Sequence, residues 1–272
     1  MLARTALLFA LLAIATTVLT GAWFGTPVQT PPLANAASCP QEFAPDPSVA
    51  DNGLDAVSLL EKAIARIEAD NTGWLRTKIR QTTHARSRFV AEGFLQRGPC
   101  HCARLEMEVI NNTSRGRLTI VSDGALLAKV QALPGAQDAI HVEKLPDPNA
   151  EKESFLVNHG CGGPRTLLCQ LRDQLKETVS RTGLLGNRPV IQINGKVPAE
   201  SGLGMDGTQS AHACVYLNAK TLSLVRVEWL NADKPSLQID FLDLEMGREL
   251  TAEECARVFS YHPAGNEHVT HK

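Results

Sequence analysis

A succession of short strands joined by tight turns begins at Trp74 and constrains the fold of this chain more than any other feature of its sequence. Apolar and polar residues alternate in these stretches, for example over residues 105–109, and a period of two is typical of strands with one buried face. Asp123-Gly124 is a strong signal for a two-residue hairpin. Strands are predicted over residues 74–84, 88–96, 104–110, 117–122, 126–132, 139–145, 189–194, 212–217, 222–230 and 237–244. This order predicts an antiparallel meander.

Three helices are predicted beside the strands. Apolar residues recur every three or four positions over residues 54–70, where Asp51 or Asn52 is available as the N-cap, and again over residues 164–182. A capping-box pattern that begins at Thr251 starts a short third helix. The chain is therefore predicted to be an α+β protein built on a single long antiparallel sheet.

The sequence divides into three segments. Residues 1–36 are predicted to be a signal peptide or signal anchor, residues 37–52 a Pro-rich tether, and residues 53–272 one folded domain. The 27 Lys and Arg residues are balanced by 29 Asp and Glu residues, and 43% of the chain is hydrophobic. This composition is globular and lacks the basic excess of a nucleic-acid-binding protein, so we expect no nucleic-acid partner.

An unbroken apolar run over residues 6–25 follows Arg4, the only charged residue in that part of the chain, and indicates export. Its length matches the ~20 residues that cross a bilayer, so an uncleaved anchor competes with cleavage after Ala36. Lipidation of Cys39 is a third alternative. All three place the following residues outside the cytoplasm, because the positive charge precedes the apolar run.

The remaining chemistry of the sequence favours structure over catalysis. Cysteines in an exported protein favour disulfides, whose pairing the sequence does not fix. The candidates are Cys100, Cys102, Cys161, Cys169, Cys214 and Cys255. Cys100-His101-Cys102 lacks structural-zinc spacing, and the glycines of residues 160–163 predict a loop with positive φ angles. We find no catalytic constellation and expect no enzyme activity, no metal site and no cofactor.

Several segments together resemble the periplasmic lipoprotein carrier family, the LolA/LolB-like superfamily. The opening helix over residues 54–70 matches the family's first helix, and residues 93–99 match its apolar strand with a basic-Pro turn. Residues 119–127 match its hairpin around Ser-Asp-Gly. The ending, a short helix followed by residues 259–263 and then Val269, matches the family's C-terminal pattern.

The resemblance implies a half-open, unclosed β-barrel whose concave apolar face is covered by helices and holds acyl chains. The residue that matches the family's Arg at the basic-Pro turn, which is tied to cargo release, is Arg97. We expect Arg97 to be exposed at the rim, so that Arg97→Leu alters ligand release more than stability. The residues expected to line the hydrophobic cavity are Phe89, Leu105, Met107, Leu118, Ile120, Leu127, Val225, Val227, Trp229, Ile239 and Phe241.

The predicted function is that of an extracytoplasmic, non-enzymatic carrier-like protein that binds an acyl lipid or a lipoprotein. We expect a monomer in the periplasm or an equivalent compartment, held at the membrane by residues 6–25 if that segment is retained. The alternative is a membrane-tethered interaction or sensor module with a filled core, which works through a membrane protein partner.

Overall fold

The structure, a computed structural model, describes residues 43–45, 55–70, 72–83, 89–111, 114–132, 139–147, 149–198, 211–231, 234–261 and 268–271. The predicted signal segment lies outside these residues, as does the predicted tether apart from Phe43–Pro45, which forms a strand. In the part of the chain that is described, no helix is both long and apolar enough to cross a membrane.

The described residues form helices and strands in a fixed order. The helices are α1 Ala56–Glu68, α2 Asn149–Asn158, α3 Gly163–Gln174 and α4 Ala252–Phe259. The strands are β1 Phe43–Pro45, β2 Leu75–Thr83, β3 Phe89–Arg97, β4 Cys102–Asn111, β5 Ser114–Asp123, β6 Leu126–Ala132, β7 Ala139–Lys144, β8 Lys176–Leu185, β9 Arg188–Val197, β10 Ala211–Asn218, β11 Leu224–Asn231, β12 Lys234–Met246 and β13 His268–His271.

All thirteen strands belong to one sheet, in the order β1-β8-β9-β10-β11-β12-β2-β3-β4-β5-β6-β7-β13. Neighbouring strands are antiparallel except β7 and β13, which are parallel. β1 and β13 occupy the two edges of the sheet. The fold is therefore an α+β half-barrel that is not closed, which confirms the predicted fold class.

The inner face of the sheet, the face that carries Ile79, Leu95, Leu105 and Trp229, is apolar and is covered by helices. These side chains belong to one core cluster with residues from α1, α2 and α3, among them Leu60 of α1. α1 also packs against α3. Because a sheet with one apolar face needs a cover, the three helices complete the core that the strands begin.

Two local predictions need correction. α1 begins later than predicted: Asp55 is its N-cap and accepts hydrogen bonds from the backbone N–H of Val57 and of Ser58. The helix predicted over residues 164–182 ends at Gln174, and β8 follows at once. Leu175 turns to an extended conformation with ψ 131°.

β8 forms because the sheet offers it a partner. Its residues pair antiparallel with β9, for example Ser180 with Ile193, and Thr178, Val179 and Thr182 are β-branched residues that suit a pleated surface. The apolar spacing that predicted a longer helix continued through Val179, which is in fact exposed. Pairing with β9 therefore overrides the helical pattern.

The outer face of β9 to β12 carries a buried network of polar side chains. Tyr216 Oη donates to Glu228 Oε2 at 2.8 Å. Arg226 lies between two carboxylates: its Nη1 donates to Glu228 Oε1 at 3.1 Å, and its Nε donates to Asp240 Oδ1 at 2.6 Å. Burial, and next the charge of Glu228, raises the pKa of Tyr216 above its ordinary value. Gln192 Nε2 of β9 donates to Tyr216 Oη at 3.1 Å, so that the network spans four strands. It fixes their register, because a one-residue slip would bury these groups on the apolar face.

Gly93 is expected to be irreplaceable in β3. A Cβ at this position would lie 1.7 Å from the backbone oxygen of Glu106, so β3 and β4 would have to separate. Gly93→Ala should lower the free energy of unfolding by about 3 kcal/mol. Urea unfolding followed by circular dichroism measures this loss. The exposed Arg117→Ala in β5 serves as the control, and equal stabilities of the two variants would contradict the steric argument.

Candidate functional site

An apolar cavity of about 40 Å³ lies between the inner face of the sheet and the helices that cover it. Its lining consists of Ile79, Gln81, Leu95, Leu105, Met107, Gly160, Gly163, Leu167, Trp229, Leu237, Ile239 and Phe241. The strands β2, β3, β4, β11 and β12 supply the floor, and the region from the end of α2 into α3 supplies the roof. No charged residue is in this lining.

The structure brings together most of the residues predicted to line the cavity. Five of them line it directly: Leu105, Met107, Trp229, Ile239 and Phe241. Four others lie in the same core cluster but away from the cavity: Leu118, Ile120, Leu127 and Val227. The side chain of Phe89 lies outside the described part of the structure. Binding of a ligand by these residues stays a prediction.

The prediction that Val225 lines the cavity is wrong, because its side chain packs on the outer face with Cys214 and Tyr216. Strict alternation with Val227 and Trp229 predicted an inward side chain. The pairing of β10 with β11 shifts between Tyr216 and Leu217, so that Leu224, rather than Val225, points into the core. A β-bulge reverses the alternation at one residue, and the local pattern of apolar residues does not reveal it.

The sequence analysis missed several lining residues. Ile79 and Gln81 alternate along β2 on the inner face, and Leu95 does the same in β3, so periodicity in these strands carried the signal. Leu167 comes from the apolar face of α3. The two glycines Gly160 and Gly163 carried no apolar signal, and only the tertiary structure places them at the cavity.

The roof of the cavity is a helical lid, defined here as α2, α3 and the connector between them. Gly160 and Gly163 have φ angles of 81° and 74°, which confirms the predicted loop with positive φ. A Cβ at Gly163 would lie 3.1 Å from Leu95 Cδ2, so the glycine lets the connector approach the sheet closely. The lid therefore contacts the inner face through backbone as well as side chains.

Arg97, at the end of β3, ties this lid to the sheet. Arg97 Nη1 donates to the backbone oxygen of Cys161 at 2.7 Å, and Nη2 donates to Glu153 Oε2 in α2 at 2.9 Å. The expectation that Arg97 is exposed is wrong, because only 15% of its side chain is accessible. A role of Arg97 at the rim stays a prediction, and Arg97→Leu would also leave Glu153 without its main partner.

His101 adds a second contact between the β3–β4 turn and the lid. Its Nδ1 lies 3.5 Å from Glu153 Oε2, and the turn holds His101 at a φ of 63°. Burial raises the pKa of Glu153, but the charges and hydrogen bonds of Arg97 and His101 outweigh it and leave the pKa below its ordinary value. The Glu153 carboxylate is thus stabilised in its ionised form at the edge of the lid.

A separate ion pair joins the lid to α1. Arg165 Nε in α3 donates to Glu68 Oε1 at 2.9 Å, and both side chains are exposed. An exposed pair of this kind contributes little to stability. The Arg97–Glu153 pair, which is less exposed, is therefore the stronger of the two attachments.

The six cysteines predicted as disulfide candidates are all free thiols in the structure, so the prediction of disulfides is not confirmed. Cys161 precedes α3 and Cys169 lies within it. Cys214 packs on the outer face, on the opposite side of the sheet from Cys161.

The buried thiols are expected to be unreactive, because a thiol with a raised pKa stays protonated. Burial raises the pKa of Cys161 and of Cys214 to about 12. Burial also raises the pKa of Cys102 to about 11, and the neighbouring Cys255 of α4 adds to the shift. Within the described residues, no group of three or more His, Cys, Asp or Glu side chains is placed to hold a metal ion.

Loosening of the lid can be tested through Glu153. Glu153→Gln should weaken the attachment of the lid by about 1 kcal/mol, and amide hydrogen exchange should accelerate in α2 and α3 but not in the sheet. The exposed Glu151→Gln on the same helix is the control.

In the parent protein, the same acceleration should appear as the pH falls through the lowered pKa of Glu153, because a carboxylate with a depressed pKa loses its stabilising effect on protonation. Exchange in α2 and α3 that is unaffected by Glu153→Gln would show that other contacts hold the lid.

Thiol labelling provides a second test. Iodoacetamide at pH 8, without a reducing agent, should modify the exposed Cys100 in the folded protein, whereas Cys161 and Cys214 should react only after unfolding. Peptide mass spectrometry measures both populations. A peptide pair linked through sulfur would contradict the free thiols and restore the disulfide interpretation.

Comparison with known proteins found no protein-family model that matches this chain. No curated protein matches it in sequence.

Among solved structures, an uncharacterised conserved protein from Thermus thermophilus is similar at 9% identity and a TM-score of 0.44, over 78% of this chain and 98% of that chain. The lipoprotein LppX of Mycobacterium tuberculosis is similar at 13% identity and a TM-score of 0.32, over 69% and 94% of the two chains. A LolA superfamily protein from Nitrosomonas europaea is similar at 11% identity and a TM-score of 0.23, over 75% and 96%. The fold of this chain is one unclosed antiparallel sheet whose inner face is covered by helices.

Proposed function

We propose that this protein is an extracytoplasmic, non-enzymatic carrier that binds acyl chains between the inner face of the half-barrel and the helical lid. The observation that carries the proposal is the cavity at this place, whose lining is apolar apart from Gln81 and the indole nitrogen of Trp229. An apolar cleft with few polar groups is the usual form of a lipid site. Hydrocarbon gains free energy in proportion to the apolar area that it removes from water.

The closed form of the lid is too tight for an acyl chain. The cavity of about 40 Å³ is far smaller than the ~300–1,000 Å³ of ordinary ligand pockets. An acyl chain therefore requires the lid to move away from the inner face. The Arg97–Glu153 pair is the contact that such a movement breaks, which gives Arg97 its proposed role in binding and release.

The cellular setting follows from the sequence. The apolar segment over residues 6–25 supports an extracytoplasmic location, either after cleavage or as an anchor to the membrane. A protein that is released would shuttle its acyl cargo, and a protein that stays anchored would act as a receptor. The proposed partner in both cases is an acyl lipid or a lipoprotein, bound by a monomer.

The small volume of the cavity favours a second candidate, the interaction or sensor module with a filled core. Leu95, Leu105 and Trp229 are almost completely buried without any ligand, as they would be in an ordinary core. Such a module would work through a protein partner and would take up no hydrocarbon. The two candidates therefore differ in one measurable property.

Uptake of a hydrocarbon probe separates the two candidates. The full chain, purified under mild conditions, is examined by native mass spectrometry for a bound mass in the acyl-lipid range and is then titrated with diphenylhexatriene, whose fluorescence rises in an apolar site. We expect retained lipid or saturable uptake of the probe. Protein that carries no bound lipid and does not raise the fluorescence of the probe would refute the carrier proposal and support the filled-core module.

Filling the cavity should weaken the binding of a hydrocarbon probe. Met107 lies in the lining and is buried, and Met107→Phe should lower the affinity for diphenylhexatriene by about tenfold, with a loss of stability of about 1–3 kcal/mol at most. Leu126→Phe is the matched control, because Leu126 is exposed on β6. Equal affinities of the two variants would place the probe elsewhere on the protein.

A further inference from the structure

Two hydrogen-bond donors in the lining of the cavity have no partner in the described structure. They are Trp229 Nε1 and Gln81 Nε2, and their residues are only 1% and 2% exposed. The indole nitrogen of Trp is a donor only, so a neighbouring donor does not satisfy it. A buried donor without a partner lowers stability, because it has lost its hydrogen bonds to water.

The two donors belong to residues on the two strands that flank β12, one on β11 and one on β2. Trp229 in β11 pairs with Leu237 in β12, and Gln81 in β2 pairs with Ile239, two residues further along β12. Thr83 in β2 pairs with Leu237, and its hydroxyl is also buried without a partner. Three polar side chains without partners therefore surround one short stretch of β12, at one side of an apolar cavity.

A ligand that satisfies the two donors must bring a hydrogen-bond acceptor into an apolar cavity. A hydrocarbon has no acceptor and would leave both donors unsatisfied. A carboxylate has acceptors, but no cationic side chain lines the described cavity, and an unpaired buried charge is costly. An uncharged carbonyl oxygen accepts two hydrogen bonds through its two lone pairs without bringing a charge into the cavity.

We propose that Trp229 Nε1 and Gln81 Nε2 bind the carbonyl oxygen of an acyl ester or acyl amide, so that the cavity selects such neutral acyl groups over free fatty acids. The inference rests on the proposed function, since it names the chemical class of the acyl ligand. The acyl chain extends from this carbonyl along the apolar lining formed by Leu95, Leu105 and Met107. Thr83 lies beside the group and offers a further hydroxyl.

The ligand part of the test compares probes that differ at the carbonyl. Methyl cis-parinarate and cis-parinaric acid are fluorescent acyl probes with an ester and an ionised carboxylate at pH 8, and diphenylhexatriene has no acceptor. We expect the full chain to bind the methyl ester at least about tenfold more tightly than the acid, because the acid brings an unpaired charge into the cavity and the ester brings none. Equal or tighter binding of the acid would overturn the inference.

The variant part removes the donors and keeps apolar volume. Gln81→Leu combined with Trp229→Phe should reduce the ratio of ester affinity to diphenylhexatriene affinity by about tenfold. Gln96→Leu is the matched control, because Gln96 is an amide on the outer face of β3, and it should leave that ratio as it is in the parent. An unchanged ratio in the double variant would show that ordered water, rather than a carbonyl, satisfies these donors.

Stability in the absence of ligand gives an independent readout. Gln81→Leu should unfold at the same temperature as the parent or at a higher one, because it removes a buried group without a partner. A lower unfolding temperature would show that Gln81 has a structural partner and would overturn the inference. Failure of every probe to bind would refute the proposed function itself, whereas equal binding of ester and acid would refute only the carbonyl site.

Discussion

The structure depends on one constraint: an antiparallel sheet that does not close on itself must have its apolar inner face covered. The strands of this protein end at β1 and β13 without meeting, so the core is completed by α1, α2 and α3. A cover made of helices differs from a second sheet because it can be attached at a few points. The inner face is therefore both the core of the protein and the surface that a ligand would reach.

The two faces of the sheet have different roles in this arrangement. The outer face of β9 to β12 is fixed by paired polar side chains, among them Arg226 with Asp240, which leave little freedom in the register of the strands. In the described cavity of the inner face, the donors Gln81 Nε2 and Trp229 Nε1 lack partners. A rigid outer face can thus support an inner face that is less completely satisfied, as proteins often are at functional sites.

The lid shows how the fold and the proposed function meet. Its polar attachment to the sheet is one ion pair at the rim, between Arg97 and Glu153, supported by the hydrogen bond from Arg97 to the backbone of Cys161. Leu156 and Leu168 of the lid are also completely buried in the core, so opening the lid would expose apolar surface while leaving the pairing of the strands intact. Under the proposed function the lid has to open, because the cavity beneath it is far smaller than an ordinary ligand pocket.

The sequence by itself determined the elements whose pattern is local: the strand-rich α+β fold, the Asp123-Gly124 hairpin, the capping box at Thr251 and five of the residues that line the cavity. Periodicity reports which side of a strand is apolar, so it predicted an apolar inner face. Only the tertiary structure decided that β8 is a strand, that a bulge turns Val225 outward, that Arg97 is paired with Glu153 and that the donors of Gln81 and Trp229 share one cavity. These features depend on pairing between residues far apart in the chain, and a local pattern carries no information about which distant partner a strand or a side chain will meet.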